Sequence, residues 1–116
     1  MRVNILGTWY ETVFDQYKVD SVYKERDILA YVSYDAKKIH ICELESHPDF
    51  DGTMESAQIG EKHSLRHEII HAFLFESGLA GESHCSTSWA GNEEMIDWIA
   101  LQLPKIIKVC EEAEAL

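Results

Sequence analysis

The pattern HEIIH, residues 67 to 71, sits in the middle of HSLRHEIIHAFLFESGL (residues 63 to 79), and few folds can absorb it. At about 100° per residue, His67 and His71 fall one turn apart on a single helix face, with Glu68 projecting beside them. Leu65, Ile69, Ala72 and Phe73 lie behind the histidines, and Ile70, Leu74 and Phe75 flank them. A helix that is apolar on nearly every side is a buried one, so the two imidazoles and the carboxylate are expected to be partly interior. Buried polar groups need partners, because leaving them unpaired costs several kcal/mol. Two neutral imidazoles at this spacing can bind Zn²⁺, and a carboxylate next to them can take a proton from a water on the metal. The alternative is a core helix with two hydrogen-bonded histidines and no metal.

Completing such a site takes a third protein ligand and an open fourth position. NEEMID, residues 92 to 97, offers one: Glu93 and Asp97 are four apart and share a face of a second helix. Asn92 as a cap and the favourable helix N-terminus account for Glu94 and could account for Glu93. Asp97 lies beyond the first turn, where the dipole effect has faded. With Glu93 as third ligand, Asp97 is free to accept the outer N–H of a ligating histidine and fix its tautomer. The adjacent pair His84 and Cys85 lacks the spaced second pair of a zinc site.

The 116 residues make one domain with a single modest core. A net charge of −11, from 21 acidic against 10 basic residues, leaves no basic stripe for phosphates, so nucleic acid is not an expected partner. No apolar run approaches the 18 to 20 residues of a membrane span. MRVNILGTWYETVFD has no signal-peptide pattern, so a cytoplasmic location is expected. Cys42, Cys85 and Cys110 are odd in number and widely spaced, and read as reduced thiols.

Residues 3 to 14 read as one strand kinked or bulged at Gly7, ending at Val13 and Phe14. Residues 15 to 27 read as a polar connection with at most a short helical turn. ILAYVSYDAKKIHICEL (28 to 44) is a hairpin about DAKK, with Ile28, Ala30, Val32 and Tyr34 on one face and Ile39, Ile41 and Leu44 in the partner strand. Residues 45 to 61, with Pro48, Gly52 and Gly60, read as a long loop; Ser64 or a neighbour would then cap the HEIIH helix, and Gly78 would close it. A loop over 79 to 91 precedes a helix over 91 to 103, and Pro104 is expected to end it and begin a third. His47 and His63 are expected on the surface, His40 off its strand in solvent or in a hydrogen bond, and Trp9, Trp89 and Trp98 in the core or as lid anchors.

HEIIH followed by NEEMID resembles the gluzincin branch of zinc metallopeptidases, in which HExxH is followed some tens of residues later by a helix of the form NExxxD; here Glu93 lies 22 positions after His71. RHEIIHAFLFESGL with WAGNEEMIDWIALQLPKI also looks like small phage or prophage proteins of low-GC Gram-positive bacteria, similar in scale to minigluzincins. The likeness covers residues 64 to 107 well and the hairpin loosely. It implies an α+β, zincin-like domain over 1–116: a small sheet from the N-terminal strand and the hairpin, packed on the HExxH helix and the following glutamate helix. It further implies Zn²⁺ held by His67, His71 and Glu93, with Glu68 as general base, Asp97 orienting a histidine, and a peptide or protein as substrate. The chain departs from that pattern in two places. No convincing counterpart of the helix with which minigluzincins back the active helix precedes residue 28, and after Asp97 there is neither the Tyr nor the His that many gluzincins use to stabilise the tetrahedral intermediate. His84, Tyr31 and Tyr34 are open alternatives for that role. A non-catalytic zinc-binding regulatory or interaction module is the competing expectation.

Overall fold

A computed structural model describes residues 1–80 and 89–116; His84 and Cys85 lie outside the described residues. The fold is α+β, with a four-stranded mixed sheet backed by helices. Strands β1 (Arg2–Ile5) and β2 (Thr8–Asp15) form an antiparallel hairpin. The single kinked strand expected from the sequence is therefore two strands. Leu6 and Gly7 both take positive φ, 51° and 93°, which makes a tight two-residue turn whose twist suits a hairpin. The Asn4 side chain accepts a hydrogen bond from the Gly7 N–H at 2.7 Å and closes that turn. β2 also runs past Phe14 to Asp15.

The connection to the next strand carries one helical turn, α1 (Val22–Glu25), as its polar composition allowed. Strands β3 (Ala30–Ser33) and β4 (Lys38–Cys42) form the expected hairpin. β4 inserts beside β2 in parallel, giving the order β1-β2-β4-β3 and leaving β3 at an edge.

The HEIIH helix, α2 (Met54–Glu76), begins ten residues before Ser64. Thr53 is its cap, its hydroxyl accepting from the Ser56 N–H at 3.1 Å. Residues 54 to 61 are thus helix rather than loop. Gly60 is tolerated in the helix for a packing reason: a Cβ there would come within 2.7 Å of Leu44 Cδ1, in the 3-10 turn Leu44–Ser46. The helix closes as expected, with Gly78 at φ 89° just past the Ser77 cap.

The glutamate helix, α3 (Glu93–Glu112), starts at the Asn92 cap and runs straight through Pro104, so the expected third helix does not exist. Proline removes the N–H that would bond the carbonyl of Ala100 and crowds that carbonyl. Arg66 of α2 answers by donating from Nε to the Ala100 oxygen at 2.8 Å. The unmet acceptor thereby becomes a tie between the two helices.

One face of the sheet packs on α2 through Ile5, Tyr10, Ile39, Ile41 and Ala72, with Leu65 and Ile69 against them. α3 covers another side of α2, burying Ile96 and Ala100. α2 is not buried all round, since Phe73 is half-exposed. Of the two settings expected for the tryptophans the core is excluded, since Trp9, Trp89 and Trp98 are 51%, 62% and 57% exposed. Among the described residues no helix is long and apolar enough to cross a membrane. Cys42 is buried and Cys110 half-buried, both free.

Candidate metal centre

α2 and α3 set their polar residues against each other at one end of a cleft of about 510 Å³, walled opposite by β3 and the segment leading into it. His67 Nε2 and His71 Nε2 are 3.1 Å apart. The Glu93 carboxylate reaches both: Oε2 is 2.9 Å from His67 Nε2, and Oε1 is 3.1 Å from His71 Nε2. Glu93 is also the one member that is mostly solvent-exposed, so the open side of this trio faces water.

The outer nitrogen of His67 decides what the inner ones can do. His67 Nδ1 lies 3.1 Å from Asp97 Oδ1, an acceptor, which places the proton on Nδ1. In the neutral ring Nε2 is then a lone pair, aimed at the Glu93 carboxylate and at a second imidazole. Such a meeting of acceptors is stable only around a proton or a cation. Burial holds the His71 ring below the ordinary histidine range, which favours its neutral, ligating form. Atoms bound at about 2.0–2.1 Å around a tetrahedral zinc stand about 3.3 Å from each other. The observed separations of 2.9 to 3.3 Å match that donor set and spacing.

Glu68 lies on the same helix face with its carboxyl buried, 8% exposed. Burial pushes its pKa up to about 7; the neighbouring His67 opposes that rise and Glu93 adds to it. A carboxylate with that proton affinity can take a proton and return it near neutral pH.

Asp97 accepts a second histidine. His63 Nε2 is 2.7 Å from the same Oδ1. Those hydrogen bonds, His63 first and then His67, hold the Asp97 carboxyl below the usual carboxylate range. His63, expected on the surface, instead lines the cleft and braces Asp97. The signal was present: His63, His67 and His71 are spaced i, i+4, i+8 on one stripe.

The two candidate tyrosines from the hairpin differ. Tyr31 stacks on His40, centroids 4.6 Å apart, and gives its hydroxyl to Asp20. Asp15 accepts from Tyr23 at 2.7 Å and lies 2.8 Å from His40 Nδ1. Asp15, Asp20 and His40 form a second close carboxylate and imidazole group. Its carboxylates are already met by tyrosine hydroxyls, by His40 and by the Val22 N–H, and it ties the 15 to 27 connection to the sheet. His40 is thus in a hydrogen bond, one of its two expected settings. Tyr34, in contrast, lines the cleft with Glu68, His71 and Glu93, and its hydroxyl has no hydrogen-bond partner among the described residues.

Comparisons with protein-family models, with curated proteins and with solved structures gave no match for this chain.

Proposed function

We propose that this chain is a zinc-dependent metallopeptidase with a zincin-like arrangement of the gluzincin type, hydrolysing a peptide or protein substrate. The observation that carries the reading is the convergence of His67 Nε2, His71 Nε2 and Glu93 on one point while Asp97 holds the outer nitrogen of His67. A structural histidine pair has no need of a third, solvent-facing carboxylate directed at both rings.

Zinc, when bound, supplies Lewis acidity to a water and to the substrate carbonyl. His67, His71 and Glu93 would hold it, and the exposed side of Glu93 leaves room for substrate. Glu68 takes the proton of the attacking water and delivers it to the leaving amine, which its raised proton affinity suits. Asp97 keeps His67 in the ligating tautomer, and His63 keeps Asp97 in place.

Substrate is held along β3. That strand is at the sheet edge and lines the cleft with Ala30, Tyr31 and Val32, so its outer main-chain groups are placed to pair with an extended peptide. Ile28 and Leu29 give the same wall an apolar character.

Glu68→Gln tests the reading against a zinc module that turns over nothing. A peptidase binds about one zinc per chain in both forms and loses cleavage of a quenched-peptide mixture in the variant. Zinc binding without cleavage by the parent refutes the peptidase reading and leaves the binding module.

A further inference from the structure

Hydrolysis of an amide places a full negative charge on the carbonyl oxygen in the tetrahedral state, and a preorganised donor aimed at that oxygen is among the largest single contributions to such catalysis. The cleft side chains able to donate include Arg26, Tyr31, Tyr34, His63 and Ser64. His63 is committed to Asp97 and Tyr31 to Asp20, whereas Tyr34 is held by a ring stack against α2, the helix that carries Glu68 and His71.

Tyr34 is held in place without using its hydroxyl. Its ring stacks on Phe75, centroids 4.2 Å apart and planes 19° from parallel. Glu68, His71 and Phe75 follow one another along a single stripe of α2, so the Tyr34 ring lies next to the catalytic turn. Its backbone belongs to the β3–β4 turn, and that turn is pinned to the end of α2. Lys37 Nζ meets Glu76 Oε1 at 2.9 Å, and the same carboxylate accepts from Tyr10 at 2.6 Å and Thr8 at 3.2 Å. The tyrosine is therefore clamped by a ring stack on one side and an ion-paired turn on the other. Burial, with the charges of Glu68 and Glu93 adding, pushes its ionisation up to about 12, so at neutral pH it is an O–H donor.

We propose that Tyr34 is the oxyanion donor of this site: its hydroxyl, without a hydrogen-bond partner among the described residues and in the cleft with Glu68, His71 and Glu93, hydrogen-bonds the carbonyl oxygen of the scissile bond as that oxygen becomes negative. The proposal rests on the peptidase reading. The bond ledger is simple. The water oxygen bonds the carbonyl carbon, the C=O π pair moves to oxygen, and the water proton passes to Glu68. The C–N bond then breaks as Glu68 protonates the nitrogen. Tyr34 keeps its own proton throughout and only shares it. The donor is supplied from the hairpin, upstream of the HExxH helix.

The test compares the zinc-loaded parent with Tyr34→Phe, which keeps the stack on Phe75 and removes only the hydroxyl. Each is titrated calorimetrically with a Leu-Leu phosphinic dipeptide, whose P–O⁻ mimics the tetrahedral oxyanion, and with the amide dipeptide Leu-Leu. The variant should hold zinc as the parent does and bind the amide equally, yet bind the phosphinate about a hundredfold more weakly; kcat on a quenched-peptide mixture should fall by a similar factor with KM little changed. Equal phosphinate affinity in the two proteins overturns the role of Tyr34 and leaves the peptidase reading standing. A zinc-loaded parent that neither binds the phosphinate nor cleaves the mixture overturns the peptidase reading and this proposal with it.

Discussion

Replacing Glu68 with Gln should make the metal-free protein more stable at pH 8, although it removes the proposed general base. The native state raises the Glu68 carboxyl from the ordinary 4.5 to about 7, chiefly by burial. Between those two values the folded chain holds a proton that the unfolded chain has released, so stability falls as pH rises through the window and the full penalty is present above about 7. At 1.36 kcal/mol per pH unit the penalty is at most roughly 3 kcal/mol, and about 1–3 kcal/mol is expected after relaxation around the charge. Gln has the shape of the neutral carboxyl and carries none of this cost. Urea unfolding with chelator present, at pH 4, 5.5, 7 and 8, should therefore give two curves that meet near pH 4 and diverge by that amount at pH 8, equivalent to roughly 4–12 °C in Tm for a chain of this size. Curves that stay parallel, or a Gln variant that is the weaker at pH 8, would refute the burial argument.

Other consequences can be checked on the same protein. Asp97→Ala should weaken zinc about 10–100-fold, since His67 loses the acceptor that fixes its tautomer, with His63→Ala causing a smaller loss in the same competition assay. Arg66→Met should cost about 1–3 kcal/mol in urea unfolding by stranding the buried Ala100 carbonyl, and most of that cost should disappear in a Pro104→Ala background, where the helix supplies its own N–H. Gly60→Ala, ordinarily favourable in a helix, should destabilise by about 1–2 kcal/mol because its methyl meets Leu44, and Leu44→Ala should reverse the sign.

The candidate site was legible in the sequence because its parts are written in helix periodicity: HEIIH and NEEMID each put two groups on one face, and the fold has only to bring two faces together. His63 was written in the same stripe and was passed over because a lone histidine outside the motif carries no label of its own. The failures lie where tertiary contacts override local signals. Gly52 and Gly60 made residues 45 to 61 read as loop, but Gly60 is there to admit Leu44, and Thr53 starts the helix. Pro104 reads as a helix end until Arg66 arrives from another element to take the stranded carbonyl. Leu6-Gly7 lacks the Asn or Asp that usually advertises a two-residue hairpin turn. The difference between Tyr31 and Tyr34 depends on where the 34 to 37 turn lies against α2, and no local pattern encodes that.

Metal content measured on tag-free protein reconstituted at neutral pH, for the parent and Glu93→Ala side by side, tests the account most directly. About one zinc per chain in the parent, lost or much weakened in Glu93→Ala, is the predicted result. No zinc in the parent would make the meeting of His67, His71 and Glu93 a proton-bridged structural cluster and would contradict the metallopeptidase account.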